Sequence, residues 1–129
     1  LESAALFYSQ AATNGDVEAQ FRLGEIYEKG AGVPKDITQA LRWYKQAAEK
    51  GKNIQAMGAL CRLYARSDSG FNDRQSALIM YKKGASVGET HCQLELGRAY
   101  HAGAGIERDQ IQAYLWLALA ANGLPDGED

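Results

Sequence analysis

Residues 22–33 read RLGEIYEKGAGV and residues 95–106 read ELGRAYHAGAGI, one pattern of leucine, glycines and tyrosine written twice, seventy-three positions apart. Working outward, residues 20–48 and 93–121 agree at thirteen of twenty-nine positions, where unrelated sequences would agree at about two. Half that offset finds a middle copy. Ala19, Leu23, Tyr27, Asp36, Ala40, Tyr44, Ala48 and Gly51 fall on Ala56, Leu60, Tyr64, Asp73, Ala77, Tyr81, Ala85 and Gly88. Three units follow one another at 16–51, 52–88 and 89–123, with a C-terminal tail at 124–129. Residues 1–15 match only the second half of a unit, since Ala4, Tyr8, Ala11, Ala12 and Gly15 fall on Ala40, Tyr44, Ala47, Ala48 and Gly51. From this half-repeat the single domain, 1–129, is expected to be a fragment of a longer protein.

Each unit reads as two amphipathic helices. Ala19, Leu23, Ile26 and Tyr27 recur at three- and four-residue steps, and Ala40, Trp43, Tyr44, Ala47 and Ala48 repeat that period on a second helix. Gly30 and Gly32 end the first helix where positive φ is needed. Asp36, Asp73 and Asp109 stand where N-caps are wanted, with Gln39, Ser76 and Gln112 three residues on in the manner of a capping box. The expected helices lie near 2–13, 17–29, 37–50, 53–66, 73–87, 89–102 and 109–122, and Pro125 prevents further extension of the last. A hairpin of about 36 residues cannot bury its apolar faces alone, so stacking on its neighbour supplies the core. Gly24, Gly97 and the paired alanines permit close helix approach while Tyr27 and Trp43 fill the gaps. The expected fold is all-α: a right-handed α/α solenoid, or superhelix, of three helix hairpins plus the half-repeat.

Composition narrows the function classes. The chain carries 46% hydrophobic and 23% charged residues, ordinary for a packed domain. A net charge of −2 and a pI near 5.7 supply no basic surface for nucleic acid. No run of 18 apolar residues suggests membrane insertion, and the first residues show no signal-peptide pattern. Because the chain starts in mid-repeat, localisation stays open.

The pattern AxxxLGxxYxxGxGVxxDxxxAxxWYxxAAxxG, spelled by Ala19 to Gly51, resembles the Sel-one-like repeat (SLR), a relative of the tetratricopeptide repeat, over essentially the whole chain. That resemblance implies a non-enzymatic scaffold or adaptor; many family members are bacterial, which favours periplasm or cytoplasm. The middle unit departs from the pattern. Cys61 replaces the first-helix glycine, Ser67 and Ser69 replace both loop glycines, and Gly84 stands in place of an alanine. Its loop, Ser67 to Asn72, is therefore expected to follow a path of its own.

Chemistry-bearing groups are few. GAGV and GAGI lack the preceding strand and the lysine or third glycine of a phosphate loop, so they read as helix-terminating turns. A branch of the family pairs cysteines eight residues apart; Cys92 occupies one such position, but its partner position holds Gly84. Cys92 corresponds in the repeat to Ala56, so Cys61 is displaced from it by about five residues, ~7.5 Å along parallel helices. With the interhelix spacing added, that exceeds bridging reach, and both are expected as small buried hydrophobes. His91 and His101 stand about 15 Å apart along a helix and cannot chelate one ion with Cys92. The penicillin-binding activity suggested for the cysteine-rich branch loses its motif here, so neither catalytic residues, nor a metal, nor a cofactor is expected. Phe7, Trp43, Met80 and Trp116, at equivalent positions of successive second helices, read as core packing.

What remains is the face of the first helices. In tetratricopeptide-like solenoids it lines the concave side, which here comprises Glu18, Phe21, Glu25 and Glu28 in the first unit, Gln55, Arg62 and Arg66 in the second, and His91, Leu94, Arg98 and His101 in the third. The first set is acidic and the later two basic, a groove suited to an extended, acidic peptide or protein partner; the plainer account is a solvated face with incidental charges. Two other roles compete with the adaptor: a structural spacer between flanking domains, and a cell-wall or penicillin-interacting enzyme. The half-repeat leaves Phe7 and Tyr8 uncovered, so a dimer through that end is a further expectation.

Overall fold

The structure, a computed structural model, describes residues 2–66 and 74–123. Among the described residues the regular structure is helical: α1 Glu2–Thr13, α2 Val17–Lys29, α3 Ile37–Lys45, α4 Ile54–Ala65, α5 Arg74–Ser86, α6 Thr90–Ala102 and α7 Gln110–Gly123. No described helix is long and apolar enough to cross a membrane. The chain divides into two compact units, Leu1–Leu60 and Cys61–Asp129.

The expected helix at 37–50 changes character near its end. After α3, residues Gln46–Lys50 form a π-helical turn in which the Gly51 N–H donates to the Gln46 carbonyl at 3.3 Å. The cause lies in spacing. One extra residue, Lys52 at φ 54°, separates Gly51 from the cap Asn53, whereas Gly15 and Gly88 directly precede Asp16 and Glu89.

In the first unit α2 packs on α1 on one side and α3 on the other. Ala12, Ala19 and Leu23 form the buried centre, with Tyr8, Ala11, Tyr27 and Trp43 against it. Gly24 is where α2 and α3 meet most closely: a Cβ there would stand 2.6 Å from the ring of the fully buried Tyr44. That ring lies 5.8 Å from Phe21, and its hydroxyl donates to Glu28 Oε1 at 2.6 Å.

The second unit reuses the same devices. α6 packs between α5 and α7, and Gly97 faces Leu117 as Gly24 faces Tyr44. Two buried glutamines match across the 73-residue offset. Gln20 Nε2 donates to the Ala12 carbonyl at 3.2 Å, and Gln93 Nε2 to the Ala85 carbonyl at 3.4 Å, satisfying polar groups that burial would otherwise penalise.

GAGV and GAGI are helix-terminating turns. Gly30 and Gly103 adopt φ of 72° and 70°, and each donates to a carbonyl four residues back, Ile26 and Ala99, at 2.8 Å. Asp36 and Asp109 cap the following helices as expected, accepting from Gln39 and Gln112 N–H at 3.1 Å. The capping-box reading needs correction at both. Their own N–H groups donate to the Tyr27 and Tyr100 carbonyls, at 2.9 and 3.0 Å, rather than to the Gln39 or Gln112 side chains. Asp16, Asn53 and Glu89 are further side-chain caps, for α2, α4 and α6. Asp73 and the loop Ser67 to Asn72 lie outside the described residues.

The cysteine reading is overturned: Cys61 and Cys92 form a disulfide, their Cα atoms 5.4 Å apart and both residues fully buried. Taking equal repeat positions to mean equal heights was the error. Where α4 and α6 meet, Cys61 faces Cys92 rather than its own repeat equivalent, Gly97, so the helices are staggered by about five residues, ~7.5 Å. The displacement counted against the bridge is the register that allows it. Phe7 is 65% exposed, as the uncovered half-repeat implies and against its reading as core packing, whereas Met80 at the equivalent position is buried.

Candidate functional site

In the second unit three elements enclose a cleft of about 420 Å³. α4 contributes Tyr64 and, one residue beyond its end, Arg66. α5 presents Arg74, Leu78 and Tyr81 at steps of four and three, so one helical face lines the cleft, and α6 presents Glu95, Arg98, Ala99 and Ala102 in the same way. Ala77, Leu78 and Ala99 are buried and make an apolar floor under three guanidinium groups.

Glu95 lines the same cleft, its Oε2 3.2 Å from Arg98 Nη1. Burial raises its pKa above the usual carboxylate range, an effect that Arg98 and then His91 partly oppose. Tyr81 is pushed up to about 12, first by burial and then by the neighbouring Glu95 and Tyr64. At neutral pH its hydroxyl therefore keeps its proton and can donate. A cleft of this size, apolar below and cationic around the sides, suits an aliphatic stem ending in an acid group.

Of the sequence-predicted residues, the structure brings Arg66 and Arg98 to this cleft. Arg62 is exposed on α4 and does not line it; Leu94 is half-buried. His91 lies at the start of α6 with Nδ1 3.3 Å from Glu89, and exposed His101 meets the Gln110 side-chain amide at 3.0 Å. In the first unit Gln55 is exposed, whereas Phe21 is only 6% exposed and belongs to the core instead of the outer face. Its α2 acids are engaged locally: Arg22 pairs with Glu18 at 2.9 Å and Glu25 at 3.0 Å, while Glu28 accepts from Tyr44. Tyr64, Arg74, Tyr81 and Glu95 escaped the sequence reading. Both tyrosines look like repeat core, and the one available signal was Arg74, a charge where the other units carry Ile37 and Gln110.

Among the described residues no three His, Cys, Asp or Glu side chains gather as a metal site would need. The chemistry that the cleft presents is that of guanidinium groups and apolar side chains.

The Sel1 repeat family model matches residues 1–16, 17–52, 54–89 and 90–123. Chitin synthase regulator SKT5 of Saccharomyces cerevisiae is 33% identical over 117 residues, covering 88% of this chain and 17% of that protein. Chitin synthase regulatory factor 3 of Schizosaccharomyces pombe is 31% identical over 117 residues, covering 88% of this chain and 12% of that protein. The chain thus spans less than a fifth of either relative. Among solved structures, a Sel1 repeat protein from Oxalobacter formigenes superposes with a TM-score of 0.83 at 30% identity, over 95% of this chain and 48% of that one. The protective antigen c5321 of uropathogenic Escherichia coli, described as an SLR fold, gives 0.82 at 35% identity, over 95% and 26%. With the family's repeat matched along nearly its entire length, and the α-solenoid fold of those proteins reproduced, the chain belongs to the Sel1 repeat family.

Proposed function

We propose that this chain is a non-enzymatic protein-interaction adaptor, and that its second unit holds an acidic, extended segment of the partner in the cleft among α4, α5 and α6. The observation that carries this reading is the convergence of Arg66, Arg74 and Arg98, from three separate elements, over an apolar floor. Guanidinium groups hold carboxylates through paired, charge-assisted hydrogen bonds, and the floor adds affinity through an adjacent aliphatic side chain. The regulator names of the curated relatives support an adaptor over an enzyme.

A random-peptide display selection tests it. The protein is expected to enrich peptides in which Asp or Glu neighbours an aliphatic residue. Arg66→Glu with Arg98→Glu should abolish that enrichment while the helical circular-dichroism signal persists; Arg62→Glu, outside the cleft, should leave it unchanged. Enrichment without acidic character, or acidic peptides held equally by the double variant, overturns the assignment. A spacer role would show as no enrichment with any form of the protein.

A further inference from the structure

The disulfide and the arginine cleft share the same two helices. Cys61 lies on α4 five residues before Arg66, and Cys92 on α6 six residues before Arg98. These spacings are about 7.5 and 9 Å of helical rise, so the bridge stands roughly one and a half turns behind the cleft on both walls. Side chains bind the remaining wall: α5 packs on α6, and Leu78 lies where a Cβ on Gly105 would stand 3.1 Å from it. The α4 wall is joined to α6 covalently, through sulfurs that solvent does not reach.

The ligand's chemistry follows from what faces it. About 420 Å³ is more than a lone carboxylate fills and suits a short stretch of extended chain. Glu95 at Arg98 shows how a carboxylate sits against a guanidinium of this cleft, and Arg66 and Arg74 carry the same group on the other two walls. Contact with all three guanidinium groups requires the walls at one spacing. A shift of an ångström or two breaks charge-assisted hydrogen bonds that need heavy atoms near 2.8 Å, about one wall's share of the affinity.

We propose that the α4–α5–α6 cleft is a redox-gated site for an acid-bearing peptide segment: the Cys61–Cys92 bridge sets the spacing of its two arginine walls, and reduction of the bridge releases the ligand. This rests on the adaptor reading above and adds its control. A dithiol reductant supplies the electrons. One of its thiolates attacks a bridge sulfur, and its second thiol resolves the mixed disulfide. Two electrons and two protons end on the Cys61 and Cys92 thiols, and the reductant leaves as its own disulfide. Because both sulfurs are buried, attack requires α4 and α6 to part locally, so a ligand spanning the walls protects the bridge. Linkage makes the two effects equal: the factor by which reduction weakens the ligand is the factor by which the ligand favours the oxidised bridge.

The test uses a fluorescein-labelled Leu-Glu-Leu-Asp-Leu peptide and fluorescence anisotropy on the oxidised protein, on the protein reduced by dithiothreitol, and on Cys61→Val with Cys92→Ala. Binding by the oxidised form is expected, with about tenfold loss in the other two and recovery on reoxidation. Equal binding by oxidised and reduced protein overturns the gating and leaves the adaptor reading intact. No binding by the oxidised form overturns the site itself. Loss of the helical signal together with binding also overturns the gate, because the bridge would then hold up the fold rather than the cleft; the valine–alanine pair, which preserves packing, guards against mistaking a cavity for that outcome.

Discussion

Opening the Cys61–Cys92 bridge should cost a calculable amount of stability. The bridge closes a loop with a sequence separation of 31 residues. In the chain-entropy account, that closure removes about 12 cal/mol/K from the unfolded ensemble, or about 3.7 kcal/mol at 25 °C. For a chain this long, total stability of the order of 6–19 kcal/mol is ordinary. Reduced protein should therefore stay folded at 25 °C, with its unfolding midpoint lowered by roughly 10–15 °C. The measurement is urea unfolding followed by helical circular dichroism on oxidised protein, on reduced protein and on Cys61→Ala with Cys92→Ala. The cross-linked chain should also show a smaller denaturant slope, since its unfolded state exposes less surface. Coincident midpoints for oxidised and reduced protein would refute the reasoning, as would two free thiols per chain in denatured protein never exposed to reductant.

Two other expectations follow from single contacts. Gly24→Ala puts a methyl group 2.6 Å from two ring carbons of Tyr44, which is fully buried and cannot swing away; despite the better helix propensity of alanine, a net loss of about 1–3 kcal/mol is expected in thermal unfolding. Glu95 has a folded pKa raised by burial above its ordinary 4.5, so the folded state holds this proton more tightly and the ionised carboxylate costs stability above the folded pKa. Glu95→Gln should then raise the melting temperature near neutral pH, with the gain fading as pH falls towards 4.5; the pair with the largely exposed Arg98 contributes little against this. A gain of the same size at every pH would contradict it.

The helices were legible because their determinants are local. Apolar residues three and four apart, positive-φ glycines at 30 and 103, and cap aspartates at 36 and 109 each act within a few residues of themselves. What went unread depends on relations between helices. Repeat spacing says which positions are equivalent but not how far one helix slides along the next, so a stagger of about five residues turned an apparent obstacle into a disulfide. Phe21 was misplaced for a similar reason: helical phase puts it on the outer face, but its ring tilts onto Tyr44 from the following helix. Half of the cleft escaped because Tyr64 and Tyr81 occupy positions that serve as packing elsewhere in the repeat, and candidates were sought on the first helices of the pairs, to which α5 does not belong.

One substitution ties these departures together. At the first-helix glycine position the repeats carry Gly24, Cys61 and Gly97. Gly24 admits the Tyr44 ring to a seat that no Cβ could share, and Glu28 accepts the hydrogen bond of its hydroxyl. In the middle repeat the equivalents are Cys61, Tyr81 and Ala65. Cys61 carries a Cβ, so Tyr81 cannot take the same seat, and Ala65 offers no carboxylate for its hydroxyl. Tyr81 instead lines the cleft, in the field of Glu95, with its proton held to about pH 12. A change that looks like decay of the repeat thus does two things at once. It places a sulfur against α6, and it moves an aromatic ring from the interior of a hairpin to the wall of the cleft among α4, α5 and α6.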